Sequence, residues 1–232
     1  MRVTYRSRSV KEYWTSRWDD IPADVPMANA GVYPLKYAEM TVRERTGRIL
    51  EAGCGAGRIL RYYHDRGYDI VGSDFIDIAI DKLKEVDPTL KVEVGDITHL
   101  RYADGSFKYV LAFGLYHNLE HDLNRAVSET FRVLEPGGQV CASFRADNIQ
   151  TRLTDWLADR EVVKRHAKAR QRVFHKLNLT RKEFKQLFER AGFVIDFIGP
   201  VENMPILYKF AMFRAADHRK RIVPHRNQFE AR

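Results

Sequence analysis

The chain predicts an α/β fold: a seven-stranded, mostly parallel, doubly wound sheet with an antiparallel hairpin at one edge. Three observations carry that expectation. Between 48 and 144, short apolar runs alternate with amphipathic stretches, the pattern of successive βα units with right-handed crossovers and helices on both faces. The first of these runs leads straight into a glycine-rich stretch, "ILEAGCGAGR" from Ile49 to Arg58. After Phe144 the alternation stops, and two apolar runs, 193–200 and 206–215, follow with no helix between them, which reads as a hairpin.

Each element has its own signal. Residues 48–52 form a short apolar run ending in glycines, a buried strand. Helical spacing covers 57–67 and stops at Gly67; 68–74 is the next strand. A helix over 75–88 ends at Pro88, and a third unit opens with 90–96. Residues 107–114 are apolar almost throughout, as a central strand covered on both faces should be. An amphipathic helix over 122–135 is closed by "PGG", and 139–144 is the fifth strand. The polar, charged stretch 145–178 is expected to form one or two helices over the sheet, capping the acceptor side. Thr180 with Glu183 three residues on is a capping box, so a helix over 179–193 should end at Gly192.

A single domain is expected from 232 residues: an N-terminal lid or helical segment (1–45), a core (46–144), the charged insertion (145–178), the C-terminal part of the sheet (179–215) and a basic tail (216–232). With 44% hydrophobic and 30% charged residues, and no apolar run near the roughly 18 residues of a membrane span, the chain reads as soluble. Its start, "MRVTYRSRSVKEYW", lacks the apolar core of a secretory signal, so a cytoplasmic location is expected. Cys54 and Cys141 read as reduced thiols, and no metal site is expected. The formal charge of +8 favours anionic partners. The basic stretch 160–176 and the tail offer phosphate attraction to a nucleic acid or an anionic lipid, although a solvated helix is the more common explanation.

The glycine stretch excludes more than it admits. Counting from Gly53 gives Gly55 and Gly57, with Arg58 where the dinucleotide fingerprint needs its last glycine, and no Lys-Ser/Thr follows as in a P-loop. Glu51 leads the turn. A carboxylate there repels a pyrophosphate and attracts a ligand that carries an ammonium and a sulfonium.

Together these residues resemble the class I S-adenosylmethionine-dependent methyltransferases, from about Arg48 to Phe144 and more weakly to Ala215. "EAGCGAG" is similar to that family's first motif and "RVLEPGG" to its turn before the fifth strand. The resemblance implies a Rossmann-like sheet and S-adenosylmethionine as cofactor. It implies that Glu51, Gly53, Gly55 and Gly57 cradle the methionine and ribose portion, that Asp74 accepts from the ribose hydroxyls, and that Phe75 packs on the adenine. Asp96, with Ile97 beside it, matches the acid that accepts from the adenine amino group. Gly114, at the exit of the central strand, falls where residues face the transferred methyl.

The acceptor side is less legible. There is no Asn/Asp-Pro-Pro-Tyr/Phe motif of the amino-methylating enzymes, and no cysteine in "FGLYHNLEH" for covalent chemistry. His117 is the candidate base, with a structural hydrogen bond as the alternative; His121 falls near a helix start, and Tyr116 walls the cofactor. Tyr13, Trp14 and Trp18 either form a lid with an acceptor pocket or pack under the sheet. The expected activity is methyl transfer to a small-molecule, lipid-like or glycan acceptor, with nucleic acid less favoured. The alternatives are a non-catalytic S-adenosylmethionine-binding regulator and a nicotinamide enzyme.

Overall fold

The computed structural model describes residues 1–6, 8–165, 173–201 and 208–216. The core begins with β2 (Ile49–Ala52), α3 (Arg58–His64), β3 (Ile70–Asp74), α4 (Asp77–Val86) and β4 (Val92–Val94). It continues through β5 (Phe107–Ala112), α5 (Leu123–Val133) and β6 (Leu134–Arg145). Before it lie β1 (Arg2–Arg6), α1 (Val10–Asp20) and α2 (Leu35–Thr41). After it come α6 (Ile149–Arg165), β7 (Val173–Asn178), α7 (Arg181–Arg190), β8 (Phe193–Pro200) and β9 (Tyr208–Ala215).

Seven strands form one sheet in the order β4-β3-β2-β5-β6-β9-β8. The first five are parallel, whereas β9 runs antiparallel to both β6 and β8, as the hairpin pattern predicts. The chain enters the sheet at β2, winds outward to β4 and returns to β5. That reversal between β2 and β5 is a topological switch point, where the loops leaving two strands diverge and open a crevice.

Alternating side chains explain why these strands are apolar throughout. Leu50, Val110 and Ala142 join the core on one face of the sheet, and Ile49, Leu111 and Cys141 the core on the other. α7 starts at the predicted capping box: Thr180 Oγ1 accepts from the Glu183 N–H at 3.2 Å, and Glu183 Oε2 accepts from the Thr180 N–H at 2.9 Å. Its Phe184 and Phe188 stack on Phe144 and Phe213 at 3.9 and 4.0 Å between ring centres, which seats the helix against β6 and β9.

Two elements differ from the sequence reading. β6 starts at Leu134 and takes in the Pro-Gly-Gly turn, with a register shift against β5 that absorbs the extra residues as a bulge. Residues 173–178, expected to be helical, are a strand, and they pair antiparallel with β1 in a separate two-stranded sheet. Strand preference depends on partners, and these partners are far apart in sequence, Thr4 and Lys176 by 172 residues. The basic tail, 217–232, lies outside the described residues.

Candidate active site

The switch point is occupied by the glycine turn. Gly53, Gly55 and Gly57 all have positive φ, of 72°, 50° and 65°. The Gly53 N–H donates to the Ser73 carbonyl at 2.7 Å, and the Gly55 N–H donates to Asp74 Oδ2 at 2.8 Å. The turn is thereby tied to the end of β3. The indole of Trp18, from α1, fills the space above Gly55, and a Cβ there would come within 2.4 Å of it.

Two acids lie beneath this turn. Glu51, at the end of β2, is buried, and its Oε2 accepts from the Leu60 N–H in the first turn of α3 at 2.7 Å. Desolvation outweighs that bond and pushes its carboxyl up to about 8. Asp74 is buried too; Oδ2 serves Gly55, while Oδ1 accepts from the Ile76 N–H at 2.9 Å. Burial raises its pKa against the opposing pull of these N–H groups. Two costly buried carboxyls, with Asp74 adding to the upward shift of Glu51, form a site whose electrostatics improve when a cation arrives. Cys54, between them, is a buried free thiol pushed up by the same burial and by both acids.

The other expected cofactor residues fall around the same crevice. Phe75 follows Asp74 and is 55% exposed, with the Lys11 ammonium of α1 5.6 Å from its ring centre. Asp96 is exposed beyond the end of β4; its Oδ1 accepts from the Thr98 N–H at 2.8 Å and from the Thr98 hydroxyl at 2.9 Å, which fixes the loop. Ile97 is packed in the core, so what it can offer a ligand is its backbone. Gly114 has φ 75° and open space where a side chain would point.

The exit of β5 is held by residues that sequence spacing does not reveal. The Gly114 N–H donates to Ser143 Oγ at 2.8 Å, and Ser143 Oγ lies 2.9 Å from the Tyr33 hydroxyl. Tyr33 in turn meets Phe113 edge-on at 5.8 Å between ring centres. His117 sits in a short 3-10 turn, Tyr116–Asn118, with its ring buried. Burial, with Lys176, Arg145 and His175 nearby, lowers its pKa well below the usual histidine value, and a hydrogen bond to the Ser143 carbonyl opposes the shift only in part. Tyr116 is fully buried and bonds Thr130 Oγ1 at 2.7 Å, which places it in the core. His121 is exposed just before α5.

The rim is built from the N-terminal segment and from the stretch that follows β6. α1 is capped by Ser9 and Glu12, a Ser-x-x-Glu box legible in the sequence, and carries Trp14 stacked on Trp18 with centres 5.2 Å apart. None of its residues is buried; Trp18 lies half-covered over the glycine turn with Trp14 stacked against it. At the far end of β6, Arg145 grips Asp155 of α6 through two bonds of 2.9 and 2.6 Å, and Arg2 of β1 reaches Asp147 and Asp155 at 2.9 and 2.8 Å. This cluster ties α6 and the β1–β7 ribbon to the edge of the sheet where its parallel strands end.

A family model described as a methyltransferase domain matches residues 50–142, the stretch that holds the glycine turn and both acids. A demethylmenaquinone methyltransferase from Renibacterium salmoninarum is 35% identical over 99 residues, covering 42% of this chain and 41% of that protein. A Mycolicibacterium smegmatis protein named "Probable S-adenosylmethionine-dependent methyltransferase" is 27% identical over 164 residues, 71% of this chain and 58% of that protein. The chain thus spans less than two thirds of the length of these curated relatives. A solved structure of a S-adenosylmethionine-dependent methyltransferase from Methanosarcina mazei shares the fold, with a TM-score of 0.64 at 19% identity over 80% of this chain and 98% of that one. The switch-point crevice, the glycine turn and the matched segment agree in supporting a class I S-adenosylmethionine-dependent methyltransferase.

Proposed function

We propose that the protein transfers a methyl group from S-adenosylmethionine to a small-molecule or lipid-like acceptor. The observation that carries this reading is the buried pair Glu51 and Asp74 beneath a turn of three positive-φ glycines. The donor set fits that cofactor and fits a pyrophosphate poorly, because burial beside two acids disfavours a polyanion. The cofactor, when bound, supplies a methyl group already activated by its sulfonium.

The residues of this chain then have positioning work to do. Asp74 holds the ribose and Phe75 packs on the adenine, with Asp96 accepting from the amino group. Glu51 ionises beside the cationic end. Tyr33, Ser143 and Gly114 hold the exit of β5 in place beside the acceptor, and α1 excludes water from above the turn. The demethylmenaquinone activity named for the Renibacterium relative supports an acceptor with lipid-like character. Burial gives His117 a second reading: its bond to the Ser143 carbonyl makes it a positioning residue for the β5 exit, with the base role as the alternative.

Calorimetry with S-adenosylmethionine, its demethylated product and NAD tests the cofactor, with binding of the two adenosyl compounds and no heat from NAD expected. Incubation of the protein with a cellular extract and methyl-labelled cofactor tests transfer. A labelled small or lipid-soluble product is expected. Tight cofactor binding without any labelled product would leave a cofactor-binding regulator in its place.

A further inference from the structure

The β1–β7 ribbon carries a guanidinium that the described residues leave without a counter-ion. Arg6, the last residue of β1, lies over the Tyr13 ring of α1, 4.2 Å from its centre, and its Nη2 donates to the Ser9 carbonyl at 3.3 Å. Its Nε is buried without a hydrogen-bond partner, and among the described residues no carboxylate pairs with it. Burial lowers its pKa, with only the Tyr13 hydroxyl opposing. A half-buried guanidinium short of acceptors is costly until an anion completes it.

His175 lies beside it. The ribbon pairs Thr4 with Lys176 and Tyr5 with Phe174, so His175 is the extra residue of a bulge on β7. Burial, with Lys176, Arg6 and Arg145 nearby, lowers its pKa to about 4. Asp155 opposes this shift, but that carboxylate is already shared by Arg145 and Arg2.

These groups stand on the acceptor side of the crevice. β7 packs on β6 and on the 3-10 turn after β5, whereas Asp74 and Asp96 lie at the ends of β3 and β4. From Arg6 an aromatic row leads back to the glycine turn: Tyr13 meets Trp14 edge-on, Trp14 stacks on Trp18, and Trp18 covers Gly55. A guanidinium fork takes a carboxylate or a phosphate through paired hydrogen bonds. A neutral, apolar acceptor would bury this charge unpaired.

We propose that Arg6, with His175 beside it, forms a subsite for an anionic group, a carboxylate or a phosphate, on the methyl acceptor. The anion is distinct from the atom methylated and stays on the product. That it belongs to the acceptor rests on the proposed methyl transfer, whereas anion binding itself does not.

The full chain, saturated with the demethylated cofactor, is titrated with benzoate or inorganic phosphate at constant ionic strength while the His175 ring signals are followed by NMR. A saturable shift with at least one of these anions, and none with chloride, is expected; which anion acts separates carboxylate from phosphate. Arg6→Gln should bind that anion roughly tenfold or more weakly, and Arg6→Lys, which keeps the charge without the fork, should lose less. Melting temperature and S-adenosylmethionine affinity should stay close to the wild type. No response to either anion, the same response to chloride, or a folded Arg6→Gln that responds as the wild type does would overturn the proposal. So would a variant that loses cofactor affinity and keeps anion affinity, which makes Arg6 a brace for α1. In the labelled extract, the product should be retained on an anion exchanger and be formed less by Arg6→Gln. A neutral product formed equally by both proteins overturns the assignment to the acceptor. Absence of any labelled product counts against methyl transfer and leaves the titration to decide the subsite.

Discussion

The indole of Trp18 lies over Gly55 so closely that a Cβ on Gly55 would come within 2.4 Å of it. With φ 50°, Gly55 also occupies the left-handed region that side chains disfavour. Gly55→Ala should therefore push α1 off the turn and cost about 1–2 kcal/mol in backbone strain. Loss of cofactor binding, with faster hydrogen exchange in α1, is the expected outcome. Unchanged exchange and affinity would show that α1 does not close this turn.

Asp74 joins the end of β3 to the glycine turn through the Gly55 N–H. Its assigned ribose contacts are hydrogen bonds to a charged acceptor, each worth about 1.5–3 kcal/mol, so Asp74→Ala should weaken cofactor binding roughly tenfold to over a hundredfold. Asp74→Asn, which keeps one acceptor, should lose less. Titration of both variants checks the order, and an alanine variant that is folded and binds normally rejects the role.

Glu51 links binding to stability. Its carboxyl holds a proton up to about 8 in the folded protein, against 4.5 as the ordinary value. Between those values the native state binds more protons than the unfolded one, so the contribution of Glu51 to stability falls as pH rises across that window. Glu51→Gln mimics the protonated acid. The variant should match the wild type near pH 4.5 and exceed it by a few kcal/mol near pH 8, while binding S-adenosylmethionine more weakly. Melting curves at both ends of the window decide this. Binding of the cationic cofactor near neutral pH should also release a proton, visible as a buffer-dependent heat.

His117 titrates in the opposite sense. Its folded pKa lies well below 6.5, so the unfolded chain takes up the proton first and stability falls as pH drops below 6.5. His175, lowered to about 4, adds to the same acid limb. His117→Gln should flatten part of that limb. For turnover, Gln keeps an N–H donor for the Ser143 carbonyl and lacks a basic ring nitrogen. Near-normal turnover in His117→Gln with a loss in His117→Ala supports positioning. An equal loss in both, about a hundredfold or more, supports general-base help.

The glycine turn and the strand ends around it were legible because their signals are local. Glu51 and the glycines are nearly consecutive, Asp74 closes β3 and Asp96 follows just beyond β4, and the Thr180–Glu183 box spans a single turn. Such features follow from backbone geometry over a few residues, which composition and spacing record directly. The hairpin was legible for the same reason, since two apolar runs without a helix between them leave few other arrangements.

Tertiary structure decided the rest. The β1–β7 ribbon joins partners such as Thr4 and Lys176, 172 residues apart, and neither strand has enough apolar character to announce itself alone. Tyr33 reaches Ser143 across 110 residues, and Arg145 and Arg2 share Asp155 only because the fold brings three elements to one edge. Burial is likewise a property of surroundings. The same imidazole that spacing marks as a base at a strand exit becomes a neutral ring under β7, and the same Glu51 that reads as a negative charge holds its proton until a cation comes. Sequence by itself determined the βα units and the glycine turn between them; desolvation and long-range contact, which no local pattern encodes, decided the charge and the company of the groups around that turn.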